Sequence, residues 1–363
     1  MKPLPAVLAL VTDAFGGRGG IAQYNRDFLS ALAETRTVSS IRVLPRHAPD
    51  LSVPPETIKQ TLPRSDRISY SVAALRTALF EPVDIVFCGH LFMAPLAAMI
   101  TRITSAKLIV QAHGVEVWQR PSLLQRMVLE SADLVLCVSR HTRAAVLSWA
   151  GIVPERVLVV PNTVREVFTP GDGSSLRVAL GLQGKRVLLT VGRMDSRERF
   201  KGHERVFAAI SVLVAKHYDI YYLVVGEGDD RTRLEALARD LGVNHRVRFL
   251  GALDLQSLAE IYRMADLFVM PAIGEGFGIA FLEAMASGTP AIGLDVGGAK
   301  DALADGSLGM CVAEEQLNIA IERSLLAGKS DPHALASKVR ARFGRKRFVA
   351  ATHSALNRVM EPN

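Results

Sequence analysis

The 363 residues are enough for two domains of ordinary size. With 49% apolar and 22% charged residues the composition is globular and excludes a disordered or fibrous chain. The net charge of +7 suits a protein that handles anions such as nucleotides, phosphorylated substrates or an acidic membrane surface, whereas the lack of a basic strip interleaved with aromatics speaks against nucleic acid.

In chain order, the start MKPLPAVLALVTDAFGG reads as a first β-strand, not a signal peptide: it lacks a basic lead and a small-residue cleavage site. Further strands are expected at 41–45, 84–89, 107–114, 134–139 and 156–161, with amphipathic stretches at Gln23–Glu34 and Leu123–Ser131. Apolar strands separated by helices imply a parallel sheet with right-handed crossovers. Phe168–Lys185 (FTPGDGSSLRVALGLQGK), rich in Gly, Ser and Pro, is the best linker candidate. The same alternation then restarts. Strands are expected at 186–193, 220–228, 246–253, 267–272 and 290–298, and helices at His203–Lys216, Asp230–Leu241, Leu255–Met264 and Gly278–Ser287. Pro332–Met360 reads helical, and its basic cluster Arg340–Arg347 reads as a solvated helix end. Cys88, Cys137 and Cys311 are scattered in apolar runs, which fits small buried thiols in a reducing compartment rather than a disulfide framework or a zinc site. No apolar run reaches the ~18 residues of a membrane span.

The residues that carry chemistry sit where these strands end. Asp13–Ile21 (DAFGGRGGI) is a glycine-rich anion loop between a strand and a helix; its G-G-R-G-G spacing, with a second strand ending Leu44-Pro45-Arg46, disfavours a nicotinamide site. His113 ends the strand KLIVQAHG, and His90 ends its neighbour. Gly192-Arg193 ends RVLLTV, and Lys201-Gly202 follows a basic loop; both cations are placed to clamp a diphosphate. Residues 275–283 read EGFGIAFLE: Glu275 in a loop after a strand, Glu283 on the following helix. The start of that helix suits a phosphate, and Gly276 and Gly278 allow close backbone approach. Carboxylates on either side of an anion site fit a nucleotide-sugar, one acid for the sugar hydroxyls and one for the ribose. No D-x-D pair, H-E-x-x-H or G-x-S-x-G occurs.

Together these residues resemble the family 4 retaining glycosyltransferases over nearly the whole chain, most clearly from Val187 to Ala299. The E-x7-E element (Glu275, Glu283) around Gly276-Phe277-Gly278 is the most specific mark, supported by Gly192-Arg193, Lys201-Gly202, VGEG, RVRFLGAL and Ser287-Gly288-Thr289-Pro290. The resemblance implies an α/β, GT-B fold: two Rossmann-like parallel-sheet domains facing a central cleft. These are an acceptor domain (1–168), a nucleotide-sugar donor domain (169–345) and a terminal helix (346–363) packing back on the first. It implies that Arg193 and Lys201 bind the donor diphosphate and stabilise the leaving group, and that Gly17 closes over it from the first domain. Glu275, with Gly276 and backbone N–H groups near Phe277, Gly278 and Ile279, would hold the sugar hydroxyls, and Glu283 the ribose. Ala252–Leu258, through Leu253 and Leu258, would line the base, and His113 would lie near the transferred sugar and acceptor.

The implied activity is a retaining, metal-independent transfer of a hexose from a UDP- or GDP-linked sugar to a saccharide or lipid-linked acceptor, in surface polysaccharide or glycolipid biosynthesis. It needs no cofactor, since the nucleotide-sugar is a substrate. The alternatives are a catalytically degenerate GT-B subunit that binds a partner and a GT-B sugar epimerase. The chain departs from the family at Asn162-Thr163-Val164-Arg165, where Asn-Gly-Val-Asp is usual. A cytoplasmic location is expected, with the helix LLQRMVLE (123–130) suited to peripheral docking at an anionic inner membrane face.

Overall fold

In the computed structural model of the chain, residues 3–50 and 52–361 are described; the outermost ends of the first domain and of the terminal helix, as bounded from sequence, lie outside them. Contacts divide the chain into two units, residues 1–163 with 345–363, and residues 164–344.

The first unit is built on a seven-stranded parallel sheet: β1 (Ala6–Asp13), β2 (Ser40–His47), β3 (Ile58–Gln60), β4 (Ile85–Cys88), β5 (Lys107–Ala112), β6 (Leu134–Cys137) and β7 (Val157–Val159), in the order β3-β2-β1-β4-β5-β6-β7. β1 is central, with Val7 paired to both Ile41 and Ile85. Six of its eight residues are buried, as an aliphatic strand covered on both faces requires. The helices are α1 (Gly19–Thr35), α2 (Arg67–Phe80), α3 (Ala94–Thr104), α4 (Val115–Trp118), α5 (Leu123–Ser131) and α6 (Arg140–Trp149). Alternation along β4 shows the layering. Val86 and Cys88 enter the core with Ala74, Ala97, Leu129 and Val146 of α2, α3, α5 and α6, whereas Phe87 stacks on Phe28 of α1 at 4.6 Å. Burying a side chain of that size contributes about 1.5–3 kcal/mol.

The second unit repeats the plan with β8 (Arg186–Val191), β9 (Ile220–Val225), β10 (Val247–Gly251), β11 (Leu267–Met270), β12 (Ala291–Leu294) and β13 (Met310–Val312), all parallel, in the order β10-β9-β8-β11-β12-β13. Its helices are α7 (Ser174–Ala179), α8 (His203–Ala215), α9 (Arg231–Asp240), α10 (Leu255–Met264), α11 (Ile279–Ala286), α12 (Ala299–Ala302), α13 (Leu317–Ala327) and α14 (Pro332–Phe343). Val269 of β11 faces the core formed with α8, α9 and α13; Phe268 faces the other way, against Tyr262 of α10 and Phe281 of α11.

Two sequence expectations need correction. The stretch 168–185 is not an open linker. Phe168 is fully buried against Tyr262, α7 forms within the stretch, and Arg177 bonds the Met264 carbonyl and the Asp266 carboxylate. The first domain also ends earlier than residue 168, because the Val164 N–H donates to the Phe343 carbonyl and Arg165 pairs with Glu283, which ties 164–168 to the second unit. Pro332–Met360 forms two helices broken at Gly344. The second, α15 (Arg345–Met360), belongs to the first unit, where it packs on α1 through Tyr24 and Phe348 and through Arg345 and Glu34. No helix among the described residues is long and apolar enough to cross a membrane.

Candidate functional site

In each sheet the strand order reverses once, between β1 and β4 and between β8 and β11. Chains leaving neighbouring parallel strands in opposite directions open a crevice at their carboxyl ends, the usual ligand site of such sheets. In the second unit this point is flanked by the loop after β8, which carries Arg193 and Lys201, and the loop after β11, which carries Glu275.

The β8 loop is held by backbone bonds to the loop after β9: Met194 N–H donates to the Glu227 carbonyl, and Asp230 N–H to that of Met194. It ends at Gly202, in the left-handed region (φ 83°), where a Cβ would overlap the Pro271 carbonyl. This close approach of a glycine to the exit of β11 brings Lys201 beside the opposite loop. Lys201 Nζ lies 3.1 Å from Glu275 Oε2 and 3.9 Å from Glu198 Oε2, and Glu198 also pairs with Arg193. Lys201, Glu198 and Glu275 are mostly buried, while the Arg193 side chain is 65% exposed. The two cations expected to bind a diphosphate are therefore both engaged by carboxylates. Glu198, which no sequence motif marks, is the acid common to both.

Glu275 is fixed from below. Its carbonyl accepts from Gly298 N–H at 2.8 Å, and Phe277 is buried against Phe343. Gly278 (φ 92°) precedes α11, which starts at Ile279 without a side-chain cap, so its first-turn N–H groups supply partial positive charge there. Beneath the loop, the His203 imidazole is buried and its pKa is pushed down to about 4, chiefly by desolvation and then by the Lys201 charge, so it adds no charge near neutral pH.

The second acid of the motif has other surroundings. Glu283 is 5% exposed; its Oε1 accepts from Arg165 Nη2 at 2.9 Å and its Oε2 from the Tyr262 hydroxyl at 3.1 Å. Burial pushes its carboxyl pKa up, against the opposing pull of Arg165. Arg165 itself packs over the Phe168 ring at 5.2 Å. Both oxygens expected to meet a ribose are thus already bonded within the unit. The one sequence signal for this arrangement was the arginine standing where the family has an aspartate. Leu253 and Leu258 are half-buried around the start of α10, where Asp254 caps Gln256 and Ser257.

In the first unit the matching edge is formed by the loops after β1, β4 and β5. Gly17 closes a turn onto the Ala14 carbonyl, and Gly16 is joined to Asp50. Asn25 of α1 donates to the Asp13 carbonyl at 2.9 Å. His113 Nε2 lies 2.9 Å from the Gly89 carbonyl oxygen, and because a carbonyl only accepts, Nε2 carries the proton and Nδ1 keeps its lone pair. Burial pulls the His113 pKa down despite Glu116, whose carboxylate holds the His113 N–H. An open groove of about 440 Å³ beside this edge is lined by Asp13, Arg18, Arg46 and His47, and burial raises the Asp13 pKa. Among the described residues no three His, Cys, Asp or Glu side chains gather as metal ligands.

Residues 175–345 match the family described as glycosyl transferases group 1, and residues 18–168 match Glycosyltransferase Family 4. The chain is similar to D-inositol 3-phosphate glycosyltransferase 2 of Catenulispora acidiphila, 33% identical over 64% of this chain and 58% of that one. A D-inositol 3-phosphate glycosyltransferase of Geodermatophilus obscurus is 30% identical over 81% of this chain and 67% of the relative. With others of that name the chain spans about half of the relative's length, 42% in Mycobacteroides abscessus. Among solved structures, a sucrose-phosphate synthase from Thermosynechococcus elongatus has a TM-score of 0.78 at 23% identity, over 98% of this chain and 99% of that one. Anabaena HepE in complex with UDP and glucose has a TM-score of 0.76 at 20% identity, over 97% and 99%. At such identities these two likenesses show the fold alone, which is GT-B. With both halves matched, the chain belongs to the family 4 glycosyltransferases.

Proposed function

We propose that the protein transfers a hexose from a nucleoside-diphosphate sugar, UDP- or GDP-linked, to a saccharide or lipid-linked acceptor, with retention of anomeric configuration and without a metal. The observation that carries this reading is the Lys201–Glu275 contact at the β8–β11 switch point, with Arg193 on the same loop and the uncapped start of α11 following Glu275. An arriving diphosphate exchanges places with the carboxylates on Arg193 and Lys201. Glu275, released from Lys201, then accepts from the sugar hydroxyls. In this reading no side chain attacks the sugar. Charge developing on the departing diphosphate is met by groups already in position, which is where most of the acceleration arises. Glu283 carries the ribose contact only through whatever lone pairs Arg165 and Tyr262 leave. In the first unit, His113 offers an accepting Nδ1 rather than a donor.

Relatives named as D-inositol 3-phosphate glycosyltransferases, and a structural neighbour complexed with UDP and glucose, support a nucleoside-diphosphate sugar as donor. The three unpaired cysteines suit a reducing, cytoplasmic setting. The test is a thermal-shift panel with UDP, GDP, ADP, their sugars and NAD. At about 100 times Kd a ligand adds ~2.7 kcal/mol. One nucleoside diphosphate should stabilise the protein, Arg193→Ala should remove the effect, and transfer should survive EDTA. Stabilisation by NAD alone would overturn the reading; loss of activity in EDTA would overturn its metal-free part.

A further inference from the structure

Four charged side chains meet where the loop after β8 faces the loop after β11: Arg193, Glu198, Lys201 and Glu275. Glu198 stands between the two cations. Its Oε1 pairs with Arg193 Nη2, and its Oε2 lies 3.9 Å from Lys201 Nζ, too far for a hydrogen bond. That oxygen is buried and has no hydrogen-bond partner among the described residues. Leaving a buried carboxylate oxygen so is costly, and the cost calls for a reason. The turn Ser196–Lys201 that carries Glu198 is anchored on either side of it. Ser196 is bonded through its N–H and its hydroxyl to Asp229, and Arg199 to the buried Asp230, both in the loop after β9. Asp195, whose carboxylate also feels Arg193, holds Arg197 with both oxygens. Glu198 is therefore the carboxylate that faces Arg193, and its anchored turn keeps it within reach of Lys201 as well.

The two acids differ in what a bound donor offers them. Glu275 gives up Lys201 and gains sugar hydroxyls, which donate. Glu198 gains nothing from a diphosphate, because carboxylate and phosphate oxygens both only accept and both carry negative charge. The two anions compete for the same cations and repel each other. Once the sugar has been transferred, the terminal phosphate regains an ionisable oxygen, and near neutral pH the nucleoside diphosphate is more negative than the donor was. It holds Arg193 and Lys201 more tightly than the donor did, and release of such a product limits turnover in many enzymes.

We propose that Glu198 is the counter-ion that expels the product: it returns to Arg193 and Lys201, displaces the nucleoside diphosphate, and so sets how fast the site empties. The inference rests on the sugar-transfer reading and goes beyond it, since it gives Glu198 a part in release rather than in binding or transfer.

The test is calorimetric titration of the full chain with inorganic pyrophosphate, UDP and GDP, together with release rates from stopped-flow displacement of fluorescent UDP or GDP. Glu198→Gln keeps the shape of the side chain and removes its charge. It should bind pyrophosphate and the cognate nucleoside diphosphate about tenfold tighter, the equivalent of ~1.4 kcal/mol, with most of the gain in slower release. Glu198→Ala should do the same. Damage to the loop would weaken the binding of these anions, so a gain separates this role from a structural one. In an Arg193→Ala background the gain from Glu198→Gln should shrink to about threefold or less, because the cation that Glu198 faces is gone. If the variants gain on pyrophosphate while neither UDP nor GDP binds better than pyrophosphate, the donor reading fails and Glu198 stands as the counter-ion that expels a diphosphate. If UDP or GDP binds and both Glu198 variants release it at the wild-type rate, the donor reading stands and the proposal is overturned. Unchanged or weaker binding of pyrophosphate by both variants, or no binding at all, would overturn it as well.

Discussion

Replacing Arg165 by methionine tests the buried pair behind the site. The Glu283 side chain is 6% exposed and that of Arg165 31%. Removing one partner of a fully buried pair costs about 3–5 kcal/mol, because the other charge is left without compensation. Water reaches part of this guanidinium, so about 2–3 kcal/mol is the better figure. Loss of the arginine's contact with the Phe168 ring adds ~0.5–1 kcal/mol. For a unit of this size a total of about 3 kcal/mol lowers the melting temperature by roughly 6–12 °C. The loss has a pH signature. Burial already raises the Glu283 pKa above the ordinary 4.5, and without Arg165 it rises further. The folded state then binds a proton that the unfolded state releases, so stability falls as pH rises from about 4.5 through the raised folded value. The deficit of Arg165→Met should be largest near pH 8 and shrink as pH falls through the raised folded value toward about 4.5 and the carboxyl takes up its proton. Calorimetry of the full chain at several pH values measures this. Adding Glu283→Gln removes the stranded charge and should bring the double variant to within about 1 kcal/mol of wild type. An equal deficit at both ends of the pH range, or additive single and double variants, would refute the reasoning.

Glu275→Ala should lower kcat by about 10²–10³-fold, as loss of a transition-state contact does. UDP affinity should hold or improve because Lys201 loses its competing carboxylate; an equal loss in both quantities would contradict that role. Gly278→Ala forces a side chain onto φ 92° with its Cβ 2.6 Å from the Phe281 ring, and should cost about 2 kcal/mol, or roughly 4–8 °C in melting temperature. An unchanged melting curve would show that the loop relaxes freely.

Much of this fold was legible because its strands are short aliphatic runs closed by Gly or Pro and its helices keep a 3.6-residue period. α5 and α10 fall where periodicity put them. α2, with apolar side chains both buried and exposed, has no clean amphipathic stripe to read. The short edge strands β3 and β13 have three residues each, too few for a pattern. α7 hides among turn-forming residues because its stability comes from tertiary bonds such as Arg177 to Asp266. At the site, positions were readable and partnerships were not. A loop at the end of a strand can be inferred from order along the chain, but the Lys201–Glu275 and Arg165–Glu283 pairs join residues far apart in sequence. No local spacing announces them. The same holds for Glu198, which reads as one more loop charge until it is seen against both cations.

The placement of α15 bears on how the protein is made. The first unit uses residues from both ends of the sequence, with the second inserted between them. Synthesis delivers α1 before the second unit and its partner α15 after it, so the side of α1 that receives Phe348 waits for its partner while the whole second unit emerges. The inserted unit is free to finish first, and the earlier-made unit gains its α1–α15 packing only once α15 follows.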